Sequence, residues 1–417
     1  MPRMNLKLNS LSRDAFAVNK ESDETVGKIS RNNIVATGRV CAAEYIGRNV
    51  STIRNLSKED GYASRIEAAG LDYAKMARSH MEKKLIFCAA QAYKAVGRPA
   101  PENVGQVKAD LSLYKDPIFL RTMSAIDSEV VAPLLYSVIS DLAGPMMNFT
   151  TVPMGRTKEI TILSNDIFLF QDSSWGASRS VPKNYLYNDT VTLNPRPYSA
   201  NATIKWYQLI AADEGMDAGW YYAAIIQGLW SKIMALFTKA LTEGAADTKY
   251  VPEYLSFDSY SSANWANATV AAATANGVNR SQLMAWGAYQ ALQAVLPNGT
   301  ASDAALTYGL GTEWMRNGFL GVVGGTPLYE VSQALVPGTI NTTGKMIFPT
   351  DMIFIGARVG RSLAPIYGAI ADGSPITIEM DPSQTADFTL DINVTAVMDI
   401  QPVFAGKIAV IDNVTLA

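Results

Sequence analysis

The sequence predicts an α+β protein built from several subdomains, and three features of the chain predict it. Apolar residues recur at helical spacing in the first third, between charged positions. Strand-forming runs follow from about Phe149, interrupted by a long polar gap and then by one apolar-striped segment of rod length. The last stretch, residues 341–417, breaks into short alternating runs separated by Pro and Gly. At 417 residues the chain is too long for one small core.

The first element is an absence of pattern. Residues 1–56 show no sustained periodicity and are expected to form an extended or weakly ordered arm. From Tyr62 to about Val96, Ile66, Tyr73, Met76, Met81, Leu85 and Cys88 recur at helical steps, and Gly97, Pro99 and Pro101 end the run. A second apolar stretch covers Pro117 to Leu142, where Pro133 is suited to opening a new helix. Gly144-Pro145 closes it.

Beyond Phe149 the texture turns to strands. TTVPMGRTKEITIL, DIFLF and VTLNPRPYSANATIKWYQLI carry β-branched residues at alternating positions around the polar QDSSWGASRSVPKNYLYND. They predict a long hairpin over roughly residues 157–209. A lone hairpin of that length has no core of its own, so something outside the subunit must cover it. Asp217 then stands as an N-cap before a helix whose stripe includes Tyr222, Ile226, Leu229, Ile233, Phe237 and Ala240, with Gly244 as its stop. Such a rod is about 40 Å long.

Residues 250–340 are rich in Ala, Asn, Gly and Ser and predict a compact mixed subdomain, with a helical patch over Ser281 to Val295. MIFPTDMIFIGARVG, PITIEMDP, DFTLDINVTAVMDIQP and AGKIAVID predict four strands. In the third, Phe388, Leu390, Ile392, Val394 and Ala396 share one face, with Asp387, Asp391, Asn393 and Thr395 among the other positions.

Chemistry is sparse along this chain. Its single histidine, His80, lies beside Arg78, Lys83 and Lys84, which oppose an imidazolium, so no Ser-His or Cys-His machinery is expected there. Cys41 and Cys88 give no disulfide framework and no zinc spacing. Asp387, Asp391 and Asp399 belong to strand runs, with Asp387 and Asp391 about 13 Å apart in an extended chain. GARVGR from Gly356 and GLGTEW from Gly309 lack both the dinucleotide and the Walker spacing. The expectation is therefore no catalytic residue, no metal ligand and no cofactor.

Net charge is −3, with 48% hydrophobic and 18% charged residues. Residues 1–145 hold 20 Lys and Arg against 16 Asp and Glu, and the remainder 15 against 22. This mild basic excess fits a solvated helical region; the sharper alternative is a surface facing DNA phosphate. The opening MPRMNLKLNSLSRD lacks the apolar core of a secretory signal. Lys232, Lys239, Gln227 and Ser231 within Ala218 to Leu241 argue against a membrane span.

The order of these elements from about Thr150 to Asp412 resembles the major capsid proteins of tailed bacteriophages, the Hong Kong 97 (HK-97-like) fold. Three stretches carry it. TVPMGRTKEI leads through a loop containing WGASRSVP to YNDTVTLNPRPYSANATIKWYQLIAAD; MDAGWYYAAIIQGLWSKIMALFTKALTEG follows; GTPLYEVSQALVPG, IFIGARVGRSL and DFTLDINVTAVMDIQPVFAGKIAVI end the pattern. The resemblance implies an N-terminal arm and helical region over 1–145 that could include a scaffold-like segment. It implies a first peripheral strand and extended loop over 146–216, and a spine helix in 217–249. An axial domain over 250–340 and peripheral strands over 341–417 complete the layout.

The implied function is self-assembly into pentamers and hexamers of an icosahedral shell around viral DNA, touched by non-specific contact. The implied places are the virion and, during assembly, the host cytoplasm, without a membrane. Portal, scaffold and decoration proteins are the candidate partners. Trp175, Lys183, Tyr185 and Tyr187 in the loop are the candidate inter-subunit contacts, aromatics being frequent carriers of interface energy. Two alternatives stand beside this reading: an encapsulin-type bacterial nanocompartment shell, and an α/β hydrolytic enzyme.

Overall fold

The computed structural model describes residues 25–26, 29–45, 73–143, 146–163, 188–207, 218–248, 250–295, 319–339, 342–357, 364–372, 376–382, 388–404 and 407–414. They form a mixed α+β fold.

Two short strands, β1 (Thr25–Val26) and β2 (Ile29–Ser30), lead into helix α1 (Arg31–Tyr45). The expectation of an arm over residues 1–56 therefore fails for this stretch. Ile34, Val35, Val40, Cys41 and Ala42 are buried, a stripe that Asn32, Asn33, Thr37 and Arg39 dilute in the sequence. Helix α2 (Tyr73–Ala95) buries Ala77, Met81, Leu85, Cys88 and Ala92 at steps of three and four. Gly97, at φ +72°, ends it as expected. Gly38 lets α1 approach closely, since a Cβ there would stand 2.8 Å from His80 Cε1 and 2.9 Å from Val130 Cγ2.

Helix α3 (Val104–Ala109) starts on Asn103, whose side chain accepts from the Gln106 N–H. Helix α4 (Pro117–Ala143) runs through Pro133 without restarting. Its opening lies at Pro117 instead, because Asp116 Oδ1 accepts from the N–H groups of Ile118 at 2.8 Å and Phe119 at 2.9 Å.

Strand β3 (Met147–Pro153) precedes the hairpin β4 (Lys158–Leu163) and β5 (Asn188–Leu193). The hairpin is shorter than expected. After Asn194-Pro195 the chain leaves it, and β6 (Arg196–Lys205) pairs antiparallel with β14 from Arg196↔Met398 to Lys205↔Thr389. Helix α5 (Ala218–Ala246) spans 29 residues, about 43 Å. It passes over Gly244 rather than stopping there. A Cβ at Gly244 would lie 2.0 Å from Phe404 Cε2, so this glycine serves close packing and not termination. The expected N-cap Asp217 lies outside the described residues.

Strand β7 (Ser256–Phe257), helix α6 (Ser262–Asn276), strand β8 (Leu283–Gly287) and helix α7 (Tyr289–Val295) come next. The predicted helical patch from Ser281 is thus half strand: all five residues of β8 are buried in the centre of a sheet, where an apolar run pairs on both edges. Then follow β9 (Phe319–Val323), β10 (Thr326–Glu330), β11 (Ile353–Ala357), β12 (Ile366–Asp372), β13 (Ile376–Pro382), β14 (Thr389–Pro402) and β15 (Ala409–Ile411). The four expected C-terminal strands are present as β11, β13, β14 and β15. Strand β12, with its IYGAIAD sequence, is additional to them.

The chain divides into two compact units: residues 1–141, 196–230 and 371–398, and residues 142–195, 231–370 and 399–417. In the first, β14 lies between β6 and β13, antiparallel to both. Leu390, Ile392, Val394 and Ala396 are buried on one face, as expected. Phe388 is not among them: it sits at φ +53° and 45% exposed, one residue ahead of the strand. The other face carries cross-strand polar pairs, Thr203 Oγ1 to Asp391 Oδ1 at 2.7 Å, Asn201 Nδ2 to Asn393 Oδ1 at 2.7 Å and Ser199 Oγ with Thr395 Oγ1 at 2.8 Å. In the second unit a six-stranded sheet has the order β7-β15-β11-β8-β10-β9. Helix α6, capped by Ser261 and ended by Gly277 in the left-handed conformation, covers β11 and β15.

Candidate functional site

Among the described residues, a buried cluster in the first unit and the root of the hairpin in the second concentrate polar chemistry. In the cluster, helix α2 aims Lys84 at Asp127 of α4, and both side chains are fully buried. The two form a salt bridge. Tyr222 of α5 donates its hydroxyl to Asp127 Oδ1 at 2.8 Å and accepts from Lys84 Nζ at 3.3 Å. Tyr221 reaches Asp127 Oδ2 at 3.4 Å, and His80 Nε2 lies 3.2 Å from the Tyr222 hydroxyl. One carboxylate thus gathers three donors, which is what a buried charge requires.

The electrostatics hold His80, Cys88, Tyr221 and Tyr222 in their neutral forms. Burial first, and the Lys84 charge second, lower His80 to about 3. The direction follows the expectation from its basic neighbours, although the larger cause is desolvation. Burial pushes the Cys88 thiol up to about 12. The Tyr221 and Tyr222 hydroxyls are raised well above the ordinary tyrosine value by burial and then by Asp127. The result is a neutral imidazole, a protonated thiol and two neutral phenols. A surface cleft of about 410 Å³ lies elsewhere, lined by Tyr93, Arg98, Pro99, Pro101, Glu102 and Gln106 among others. The cluster pins three helices together.

The signal for this cluster was in the sequence. Lys84 stands four residues after His80 and on the same helical face as Ala77, Met81, Leu85 and Cys88, the one long cation in an apolar stripe. Its partner, 43 positions away, had no local marker.

The hairpin root is held differently. Val152, Leu193 and Ala369 form a buried group, with Ile160 and Tyr367 packed against it. Just past β5, the Asn194 N–H donates to Asp399 Oδ2 at 2.8 Å, and Gln401 Nε2 donates to Asp399 Oδ1 at 3.0 Å. On one face of the pair Leu193 is buried and Ile160 and Val191 are half-buried, while Glu159, Thr161, Thr190 and Thr192 leave the other face exposed. Strands β4 and β5 pair with each other in register from Lys158↔Leu193 to Leu163↔Asn188, and among the described residues with no third strand. Trp175, Lys183, Tyr185 and Tyr187 lie beyond these pairs and outside the described residues. Asp391 and Asp399, the strand carboxylates of the sequence, each hold a local hydrogen bond, and among the described residues no group of metal-ligating side chains is assembled.

Among the described residues no helix is long and apolar enough to cross a membrane. No family model and no curated protein matches this chain. Solved structures do. It is similar to the satellite phage P4 procapsid with its size determination protein, at 12% identity and TM-score 0.40, over 68% of this chain and 90% of that one. It is similar to the mature capsid of bacteriophage PhiM1, at 10% identity and TM-score 0.40, over 64% and 85%. The head of Helicobacter pylori bacteriophage KHP40 matches at 11% identity and TM-score 0.40, over 64% and 87%. These are similarities of backbone course at low sequence identity.

Proposed function

We propose that this chain is the major capsid protein of a tailed bacteriophage, which assembles with copies of itself into the icosahedral shell around the DNA genome. The observation that carries the reading is the β4–β5 hairpin. It is anchored at one end by Leu193 and Asp399, and Glu159, Thr161, Thr190 and Thr192 leave one of its faces exposed. Two strands without a third gain too little burial to stand alone in water. A neighbouring copy supplies the missing cover, with Trp175, Lys183, Tyr185 and Tyr187 as the contacts.

The rest of the molecule supports this role. Helix α5 is a stiff brace, the polar cluster is a pin rather than a catalytic centre, and repeated weak contacts add up strongly on closure of a shell. In this layout residues 146–216 hold the peripheral strand and extended loop, and 217–249 the spine helix. Residues 250–340 form the axial domain, 341–417 the peripheral strands, and 1–145 the helical front. The protein works in pentamers and hexamers in the virion, after assembly in the host cytoplasm, with portal, scaffold and decoration proteins as further partners.

Deleting residues 172–186 tests the reading. The shortened chain is expected to keep its circular dichroism and thermal transition while forming no shells in sedimentation. Normal particles from the shortened chain would contradict the hairpin's role. Particles that enclose DNA and carry a portal vertex distinguish a virus head from an enzyme-filled nanocompartment.

A further inference from the structure

A second surface of the first unit gathers acids. On the polar face of β6, β14 and β13, Asp381 stands directly opposite Asp391, and Glu379 opposite Asn393. Glu379 and Asp381 are exposed, and Asp391 is half-exposed. Like charges placed across a strand pair repel. Among the described residues no Lys or Arg forms an ion pair with any of the three.

The same unit carries the complementary surface at the corner between α2 and α4. Lys94, Arg98, Lys115 and Arg121 are exposed there. Two acids of this corner, Asp110 and Asp116, are turned to internal work, while Glu102 is exposed. Asp110 accepts from Ser112 and Tyr93 and pairs with Arg98 at 3.4 Å, which leaves Lys94, Lys115 and Arg121 as the cations for a partner, and Asp116 caps α4. Beside these cations Val96, Leu111 and Ile118 are 65%, 60% and 39% exposed. Exposed apolar side chains interspersed with exposed cations along these segments describe an interface more than a solvated turn.

We propose that these two surfaces meet between copies: the acidic sheet face of one subunit docks on the basic corner of a second copy of this chain. Sheet face and corner differ, so the contact is head-to-tail, the kind that closes into rings. Three strands over about six residues present roughly 14 Å by 20 Å. That is about 300 Å², well under the ~800 Å² per partner of a standard interface. The contact is weak taken singly and sensitive to salt, and it counts through repetition. The inference rests on the self-assembly reading and adds the surface through which neighbours recognise each other's charge.

The test uses full-length chain assembled from equal parts of light and heavy-nitrogen subunits, treated with a zero-length carbodiimide cross-linker. Mixed-isotope peptides should join Glu379 or Asp381 to Lys94 or Lys115. In parallel, E379K/D381K and K115E/R121E should each raise the concentration needed for assembly by at least about fivefold. The four changes combined should restore it. Folding of every variant is checked by its thermal transition. Particles that form without these links, from variants that assemble like the parent, overturn this contact and leave the shell intact as a conclusion. A chain that never leaves the monomer overturns both.

Discussion

Asp399 holds the backbone N–H of Asn194 at 2.8 Å, and this bond ties the end of β5 to strand β14 at the point where the hairpin leaves the body. Asp399 is 8% exposed, so its carboxylate is committed to Asn194 and Gln401 rather than to water. Replacing it removes a part-buried hydrogen bond to a charged acceptor, which costs about 1.5–3 kcal/mol. Asp399→Ala should lower stability by that amount in urea titration and should impair particle formation more than the stability loss alone accounts for. Particle yield that follows stability alone would remove Asp399 from the hairpin's positioning.

The Lys84–Asp127 pair predicts a larger effect. Lys84→Met strands the carboxylate in a dry site, and stability should fall by about 3–5 kcal/mol. Adding Asp127→Leu should return only part of it, because the Tyr221 and Tyr222 hydroxyls then lose their acceptor. Denaturant unfolding of the two single variants and the double variant measures the coupling. Additive losses would contradict it.

His80 predicts the acid response. Its folded value of about 3 lies below the ordinary 6.5, so between those limits the unfolded chain binds the extra proton. Stability from this group is complete above pH 6.5 and is lost as pH falls toward 3. The slope is about 1.4 kcal/mol per pH unit, or about 2 kcal/mol between about pH 6.5 and 5, a window in which carboxylates contribute little. His80→Gln should flatten that window in urea titrations. An unchanged slope would show that His80 is not the group lost.

Two glycines of α5 should answer oppositely to alanine. A methyl group added at Gly228 would meet nothing within 4 Å, so Gly228→Ala should stabilise by about 0.5–1 kcal/mol through helix propensity. At Gly244 the same methyl would stand 2.0 Å from the Phe404 ring, so Gly244→Ala should cost about 1–3 kcal/mol through overpacking. The pair of melting temperatures checks both signs.

These residues also show what was legible in the sequence. The α5 stripe, the alternation of β14 and the outgoing arm of the hairpin were plain, because period and burial coincide there, whereas most of the expected return arm became β6 and pairs with β14. Gly244 read as a stop because glycine after an apolar run usually is one; only the Phe404 contact reveals its use. Leu283–Gly287 read as helix because a short, wholly buried run carries no alternation. Phe388 fits the period of β14, but its positive φ turns it away from the buried face. In the polar cluster Lys84 was visible as a cation on an apolar stripe, while Asp127 was not, since pairing over 43 positions is decided by packing.

The central claim is that the hairpin needs a second copy to cover it. Sedimentation velocity of the purified full-length chain across concentration and ionic strength, with electron microscopy of the fastest species, tests this most directly. Closed shells of uniform size are the predicted result. A single slow species under every condition would contradict it.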